Sequence, residues 1–495
     1  MPSHKSHDIA GPDTDQAPAS RLPDPEKTTP KAAPPREDGG TGAVVIPEPP
    51  ALAPKRDRIE TLLSRHPGGI VVSAALLITT LMWVGAKIEF PGEAPLWPWR
   101  VPTQLSIDWA LTLMALALVS ASRSPLVEPM FGGLDRAVRM HRLLGPAAVG
   151  LVVIHIFLLF ALYIAENRPV LDLIIPFRSN WVFDTFIFTT LGFLVLAVLA
   201  YVTRMAYERW RIIHGLNGVL FVPSMFVSMF IDGSISDFEP FRLWMGFLTF
   251  AGLGSLFHRY VLFRRSGPRH VYEVARIVPR DPGAFDLVLD PVGQRMAYAP
   301  GKFVFISIAE GGHWSHDLHP FSLSSTPVLR EVRLSIREVG DFTRRLRQLS
   351  PGHQVRLYGP YGSFTLHSVA AFDRVVCIGA GIGIAPFLGM LEFERTNDER
   401  RRIWLTYVVR DRGQAPYDGA LEQAAAELER VDYRLWVSSD EGRFTASAIA
   451  AIREAPQTTA VMMCGPGPML TDLINQLREL GVPNDNIYAE GFAFR

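Results

Sequence analysis

Cysteine is nearly missing from this chain: only Cys377 and Cys464 occur. Two cysteines build neither a disulfide framework nor a four-cysteine iron–sulfur site, so any metal centre must draw on other ligands. Net charge is missing too, since 49 Lys and Arg balance 49 Asp and Glu. Without an overall basic field, nucleic acid is a poor partner. Residues 1–57 lack a long apolar run and a small-residue cleavage site, which sets them apart from a secretory signal peptide. Runs such as AAPPRE and PEPPALAP bury too little apolar area to fold, so a disordered cytosolic tail is expected there.

What the chain does have is length, 495 residues, and six apolar segments near 68–86, 106–122, 141–164, 181–203, 212–231 and 241–263. Each approaches the roughly 20 residues needed to cross a bilayer, so 58–265 is expected to form a six-helix transmembrane domain. Basic residues cluster before the first segment (Lys55, Arg56, Arg58, Arg65), between the second and third (Arg123, Arg136, Arg139, Arg142), between the fourth and fifth (Arg204, Arg209, Arg211) and after the sixth (Arg259, Arg264, Arg265, Arg269). The alternate loops are poorer in them, which predicts a multi-pass protein of the plasma (inner) membrane with both termini cytosolic.

His141 and His155 lie in the third segment, 14 residues apart. At about 100° per residue they return to nearly one helix face, roughly 21 Å apart along the axis. His214 opens the fifth segment at the cytosolic depth of His141. A porphyrin iron takes axial ligands from two sides, and His141 with His214 forms a candidate pair. Membrane histidines also serve as helix–helix hydrogen bonders or sit among headgroups, although His155 lies deep in an apolar run, where an ionisable group is costly.

The stretches HRLLGPAAVGLVVIH and WRIIHGLNGVLF resemble the membrane domain of the ferric reductase and NADPH oxidase superfamily. That resemblance implies haem b, with paired histidines on the third and fifth helices. The fourth histidine of the pattern would fall thirteen residues after His214, where Val227 stands. The second haem is then absent, five-coordinate on His155, or completed by the thioether of Met225 or Met229.

After the last apolar segment the pattern changes to short strands separated by Pro and Gly turns, which predicts an antiparallel β-barrel over 268–368. It contains His319, Pro320, Phe321, Ser322, Leu323, Ser324 and Ser325, then GDFT ending at Thr343 before a helical run, then a GPYG turn. An edge strand ending in polar residues reads the same way locally. Together the three motifs resemble the FAD-binding barrel of the ferredoxin-reductase superfamily. By that resemblance Phe321 packs on the flavin, Ser322 bonds the isoalloxazine edge, Ser324 and Ser325 line the ribityl and phosphate side, and the turn at Thr343 receives a pyrophosphate.

From 372 to 495 strands alternate with helices, which predicts a doubly wound α/β domain with ligand at the carboxyl ends of its strands. In GAGIGIAP, Gly379, Gly381 and Gly383 let backbone approach a phosphate, and Pro386 opens a helix facing it. Cys464, Gly465 and Pro466 resemble the family's nicotinamide-side motif; Cys464 reads otherwise as a core thiol. Arg410 and Arg412 sit where the family holds the 2′-phosphate of NADPH, a position that a solvated turn explains equally well. The last strand of the family delivers an aromatic onto the flavin, making Phe492 or Phe494 the candidate and the other a core residue. The resemblance thus implies a multidomain flavocytochrome that oxidises NADPH (or NADH) and reduces ferric chelate, dioxygen or a partner redox protein.

Overall fold

The computed structural model describes residues 67–90, 97–177, 181–202, 207–231, 233–267, 269–280, 283–315, 318–396 and 401–491. The tail expected over 1–57 and both candidate aromatics, Phe492 and Phe494, lie outside them.

The apolar segments are helices: α1 Pro67–Glu89, α2 Trp97–Ser120, α3 Leu134–Ala165, α4 Trp181–Val202, α5 Tyr207–Ile231 and α6 Glu239–Phe257. The first five are long and apolar enough to cross a membrane. The sixth, with Glu239 and Arg242 in its first turn, is not among those five and runs on through a π-turn, His258–Leu262. Most of α2 is buried, and it packs against α3, α6 and α1. The outer helices turn Leu81, Phe157, Val195 and Phe250 outward, as helices do in lipid rather than water. Between helices several polar groups find partners. Trp244 donates to Thr79 Oγ1 at 2.9 Å and Trp109 to Thr80 Oγ1 at 3.0 Å, which keeps hydroxyls and indoles satisfied where water is absent.

Seven strands follow: β1 Arg269–Arg280, β2 Ala284–Pro291, β3 Phe303–Glu310, β4 His313–Trp314, β5 His319–Ser322, β6 Val332–Arg337 and, after helix α7 Asp341–Arg347, β7 Gln354–Tyr361. They form one antiparallel sheet in the order β4-β3-β7-β1-β2-β6, with β5 paired to β3. Tyr272, Phe285, Leu287, Ile306, Leu334 and Leu357 fill its interior.

The last module alternates β8 Arg374–Ala380, α8 Ala385–Glu394, β9 Arg402–Val409, α9 Asp418–Ala426, β10 Val431–Val437, β11 Thr459–Gly465, α10 Gly467–Glu479 and β12 Ile487–Gly491. Its five strands are parallel in the order β10-β9-β8-β11-β12. All seven residues of β11 are buried, as expected of a strand covered on both faces. In α10 the buried Leu470, Leu473 and Leu477 fall on one helical stripe, which packs on the sheet.

Asp286 on β2, 1% exposed, ties the two soluble modules together. Its carboxylate accepts from Ser335 at 2.7 Å, from Tyr417 just before α9 at 2.9 Å, and from Arg280 at 2.9 Å. Asp286→Ala strands three donors, so we expect a stability loss of roughly 3 kcal/mol, against about 1 kcal/mol for Tyr417→Phe. Thermal unfolding of the two variants measures this, and equal losses would contradict the ranking.

Candidate functional site

The strand order reverses between β8 and β11, and there a parallel sheet opens a crevice at its carboxyl edge. A cleft of about 970 Å³ lies at this point, lined by Ala380, Gly381, Arg410, Gly465 and Pro466 from the α/β module and by Gly283 and Arg337 from the barrel. The three loop glycines have different tasks. Gly381, at φ +55°, has no neighbour within 4 Å of an added Cβ and faces the open cleft, where a phosphate can meet bare backbone. A Cβ on Gly383 would meet the Cys464 carbonyl at 2.2 Å, and one on Gly379 the Ile384 Cα at 2.9 Å. These two glycines serve loop-to-loop packing. Pro386 stands in the first turn of α8, as expected. Arg410, at the carboxyl end of β9, lines the cleft with its guanidinium largely in solvent.

In the barrel, His319, Pro320 and Phe321 lie half-buried on β5, and the His319 and Phe321 rings form a row with Phe342. His319 stacks on Phe342 at 4.0 Å, and Phe321 lies 6.3 Å from it at 18°. This flat, partly open aromatic row suits a planar ring system. Ser322, Ser324 and Ser325 are buried. Ser324 donates to the Arg333 carbonyl at 3.0 Å, and Ser325 pairs with Tyr298 at 2.8 Å, so both hydroxyls brace the loop from within. Thr343 accepts from the Val339 and Gly340 amides, each at 3.0 Å, and shapes the turn before α7.

Cys464 is fully buried, and burial followed by the nearby Glu490 carboxylate pushes its thiol well above the usual range. Glu490 is its register partner on β12 and is missing from the sequence-based candidates. Burial first, then the Asp135 carboxylate, pushes Glu490 from 4.5 up to about 8, while Arg139 opposes them. The acid in YAEGF, two residues before the candidate Phe492, was the available signal. Asp135 and Arg139 belong to the first turns of α3. Ser363 of the barrel donates to Asp135 at 3.2 Å, and Arg139 donates to the Ala489 carbonyl of β12 at 3.3 Å. Leu134 joins Phe263, Phe303, Phe305, Tyr358 and Tyr361 in a shared core, with Arg123 4.2 Å over the Phe305 ring. The helical and soluble modules therefore meet beside the flavin barrel.

Seven residues along α3 from that junction, His141 turns its Nε2 toward His214 Nε2 on α5, 3.3 Å away. Nδ1 of His141 donates to the Ala117 carbonyl at 2.8 Å, which leaves Nε2 with its lone pair. His214 is stacked on Trp210 at 4.8 Å. Two facing imidazole nitrogens, with the His141 tautomer fixed, suit an iron between them. Metal–imidazole bonds of about 2.0 Å require the pair to open by under roughly 1 Å. Among the described residues no cluster of three or more His, Cys, Asp or Glu offers another metal site. His155 lies apart from this pair, lining a second cavity with Val227 and Ser228.

Helices fit for a membrane, an antiparallel barrel and a parallel sheet with a cleft at its carboxyl edge make a membrane component joined to a two-domain soluble module. Three family models match in sequence: ferric reductase like transmembrane component over 107–225, FAD-binding domain over 285–366 and oxidoreductase NAD-binding domain over 377–474. The chain has the architecture of the ferric reductase and NADPH oxidase superfamily, with FAD-binding and NAD(P)H-binding domains behind a membrane component. It is 28% identical over 233 residues to the reductase component of propane 2-monooxygenase of Mycolicibacterium goodii, covering 44% of this chain and 62% of that one. It is 26% identical over 212 residues to mouse NADPH oxidase 1, covering 39% and 35%. A solved flavohemoglobin from Malassezia yamatoensis with bound FAD and haem is 16% identical with a TM-score of 0.48, covering 81% of this chain and 99% of that one. The chain spans between 35% and 66% of the length of the first curated relatives it matches.

We expect Arg410→Ala to raise the KM for NADPH about tenfold and to leave that for NADH within about twofold, since only NADPH carries the extra phosphate for a guanidinium. Equal changes would remove Arg410 from the site. For Glu490, the folded protein holds a proton between about 4.5 and about 8 that the unfolded chain has released. Stability must therefore fall as pH rises through that window. We expect Glu490→Gln to flatten this fall in a series of melting points from pH 5 to 8, and an unchanged slope would contradict it.

Proposed function

We propose that this protein is a membrane flavocytochrome that draws electrons from NAD(P)H and passes them through FAD and haem b to an acceptor such as ferric iron. In this reading α6 completes a six-helix bundle in the plasma (inner) membrane, both termini are cytosolic, and His141 and His214 are the inner haem ligands. The observation that carries it is the facing pair of Nε2 atoms, 3.3 Å apart, one of them on a helix whose first turns touch both soluble modules.

Bound flavin supplies the conversion of a hydride into single electrons, and bound haem supplies one-electron transfer. The residues do the rest. Gly381 and Arg410 seat the nucleotide phosphates, and the row of His319, Phe321 and Phe342 supports a flavin ring. Buried Cys464 and Glu490 keep the nicotinamide end of the cleft free of full charge at neutral pH. Ala117 fixes the His141 tautomer. Dioxygen is the competing acceptor, in line with the similarity to mouse NADPH oxidase 1. Transfer to a partner protein is the other, in line with the similarity to a monooxygenase reductase component.

His141→Ala and His214→Ala should each abolish NADPH-driven haem reduction while NADPH-to-dye activity stays within about twofold of wild type. Haem reduction that survives both substitutions would overturn the ligand assignment.

A further inference from the structure

The two histidines of α3 are held in the same way. His141 donates from Nδ1 to the Ala117 carbonyl of α2 at 2.8 Å, and His155 donates from Nδ1 to the Thr103 carbonyl of α2, also at 2.8 Å. Acceptors and histidines are each 14 residues apart, as antiparallel neighbours require. Each carbonyl also accepts from a serine three residues on, Ser120 at 2.9 Å and Ser106 at 2.8 Å. A second partner that fixes tautomer and ring direction is what metal-bound histidines have. The repeat supplies it twice, yet only His141 has an imidazole opposite.

His155 is 6% exposed and lines a cavity of about 750 Å³, within the range of cofactor sites. With its proton on Nδ1, Nε2 presents a lone pair, which asks for a metal or a proton donor. A quinone carbonyl offers neither. Lys87, Arg100 and Arg168 line the same cavity against one carboxylate, Glu166. Arg100 binds Glu166 at 2.7 Å and Arg168 binds it at 3.5 Å, which places two guanidinium groups on this wall. A planar apolar body with a Lewis-acid centre and two carboxylates satisfies every one of these features. Across the cavity stand Val227 and Ser228, neither a ligand for such a centre. Met225 is buried in the helix core with Met229 packed against it, and neither lines the cavity.

We infer that His155 alone ligates a second haem in this cavity, and that the opposite axial position of its iron, on the Val227 side, is open to a small neutral ligand. This inference rests on the haem reading of the membrane domain given above.

The test uses the full chain, purified in detergent, with carbon monoxide as the probe after chemical reduction. The expected result is two haems per flavin, one of them binding carbon monoxide. His155→Ala should halve the haem content and abolish carbon monoxide binding. Val227→His should keep two haems per flavin but make both low-spin and insensitive to carbon monoxide. One haem per flavin in the wild type, or two that both ignore carbon monoxide, would overturn the inference. A single carbon monoxide-silent haem that disappears with His141→Ala would sink this inference alone, whereas protein without any haem would sink the proposed function with it.

Discussion

The anchoring of α3 is the constraint on which the rest of the structure depends. At 32 residues the helix is about 48 Å long, well beyond the roughly 30 Å of a hydrocarbon core. Its surplus lies at the amino end, where Leu134, Asp135 and Arg139 meet the barrel and β12. The same helix carries His141 and His155, with Pro146 between them. The distance from the soluble modules to each histidine is therefore set by helix geometry. The Leu134 aromatic cluster and Arg123 over Phe305 fix how the helix enters the barrel.

The chemistry is divided along this helix by a simple rule of partners. Where α5 offers an imidazole, His214, the pair is closed; where it offers Val227, a cavity remains. At the other end, burial holds Glu490 and Cys464 towards their neutral forms beside the nucleotide cleft. A carboxyl held near neutrality, pushed that way by the Asp135 charge and opposed by that of Arg139, couples the α/β module electrostatically to the helix that bears the histidines.

Periodicity made most of the architecture legible. Long apolar runs announced the helices, and alternation of strand and helix announced the parallel sheet, because both are local signals. Helix α6 was harder, since Glu239 and Arg242 dilute its first turn. The identical spacing of His141 and His155 was visible, but the matching carbonyls of Ala117 and Thr103 belong to another helix and appear only when α2 packs alongside. From sequence the glycine loop reads as one phosphate cradle. Its division into Gly381 at the cleft, Gly379 against Ile384 and Gly383 against β11 depends on the folded loop and its tertiary contacts. Thr343 belongs to the turn expected to receive a pyrophosphate, and its hydroxyl shapes that turn by accepting from the Val339 and Gly340 amides, a detail that only the folded turn shows. Glu490 is not legible in the sequence, since a lone acid in a short strand carries no pattern, and only burial beside Asp135 marks it.

If the junction at α3 delivers electrons from nicotinamide through flavin to the His141–His214 pair, the order of reduction is the most direct evidence. Anaerobic stopped-flow mixing of the purified protein with NADPH, followed at flavin and haem wavelengths, measures it. The account predicts that flavin bleaching comes first and a low-spin haem is then reduced without any added carrier. Complete flavin reduction with the haem left oxidised would contradict it.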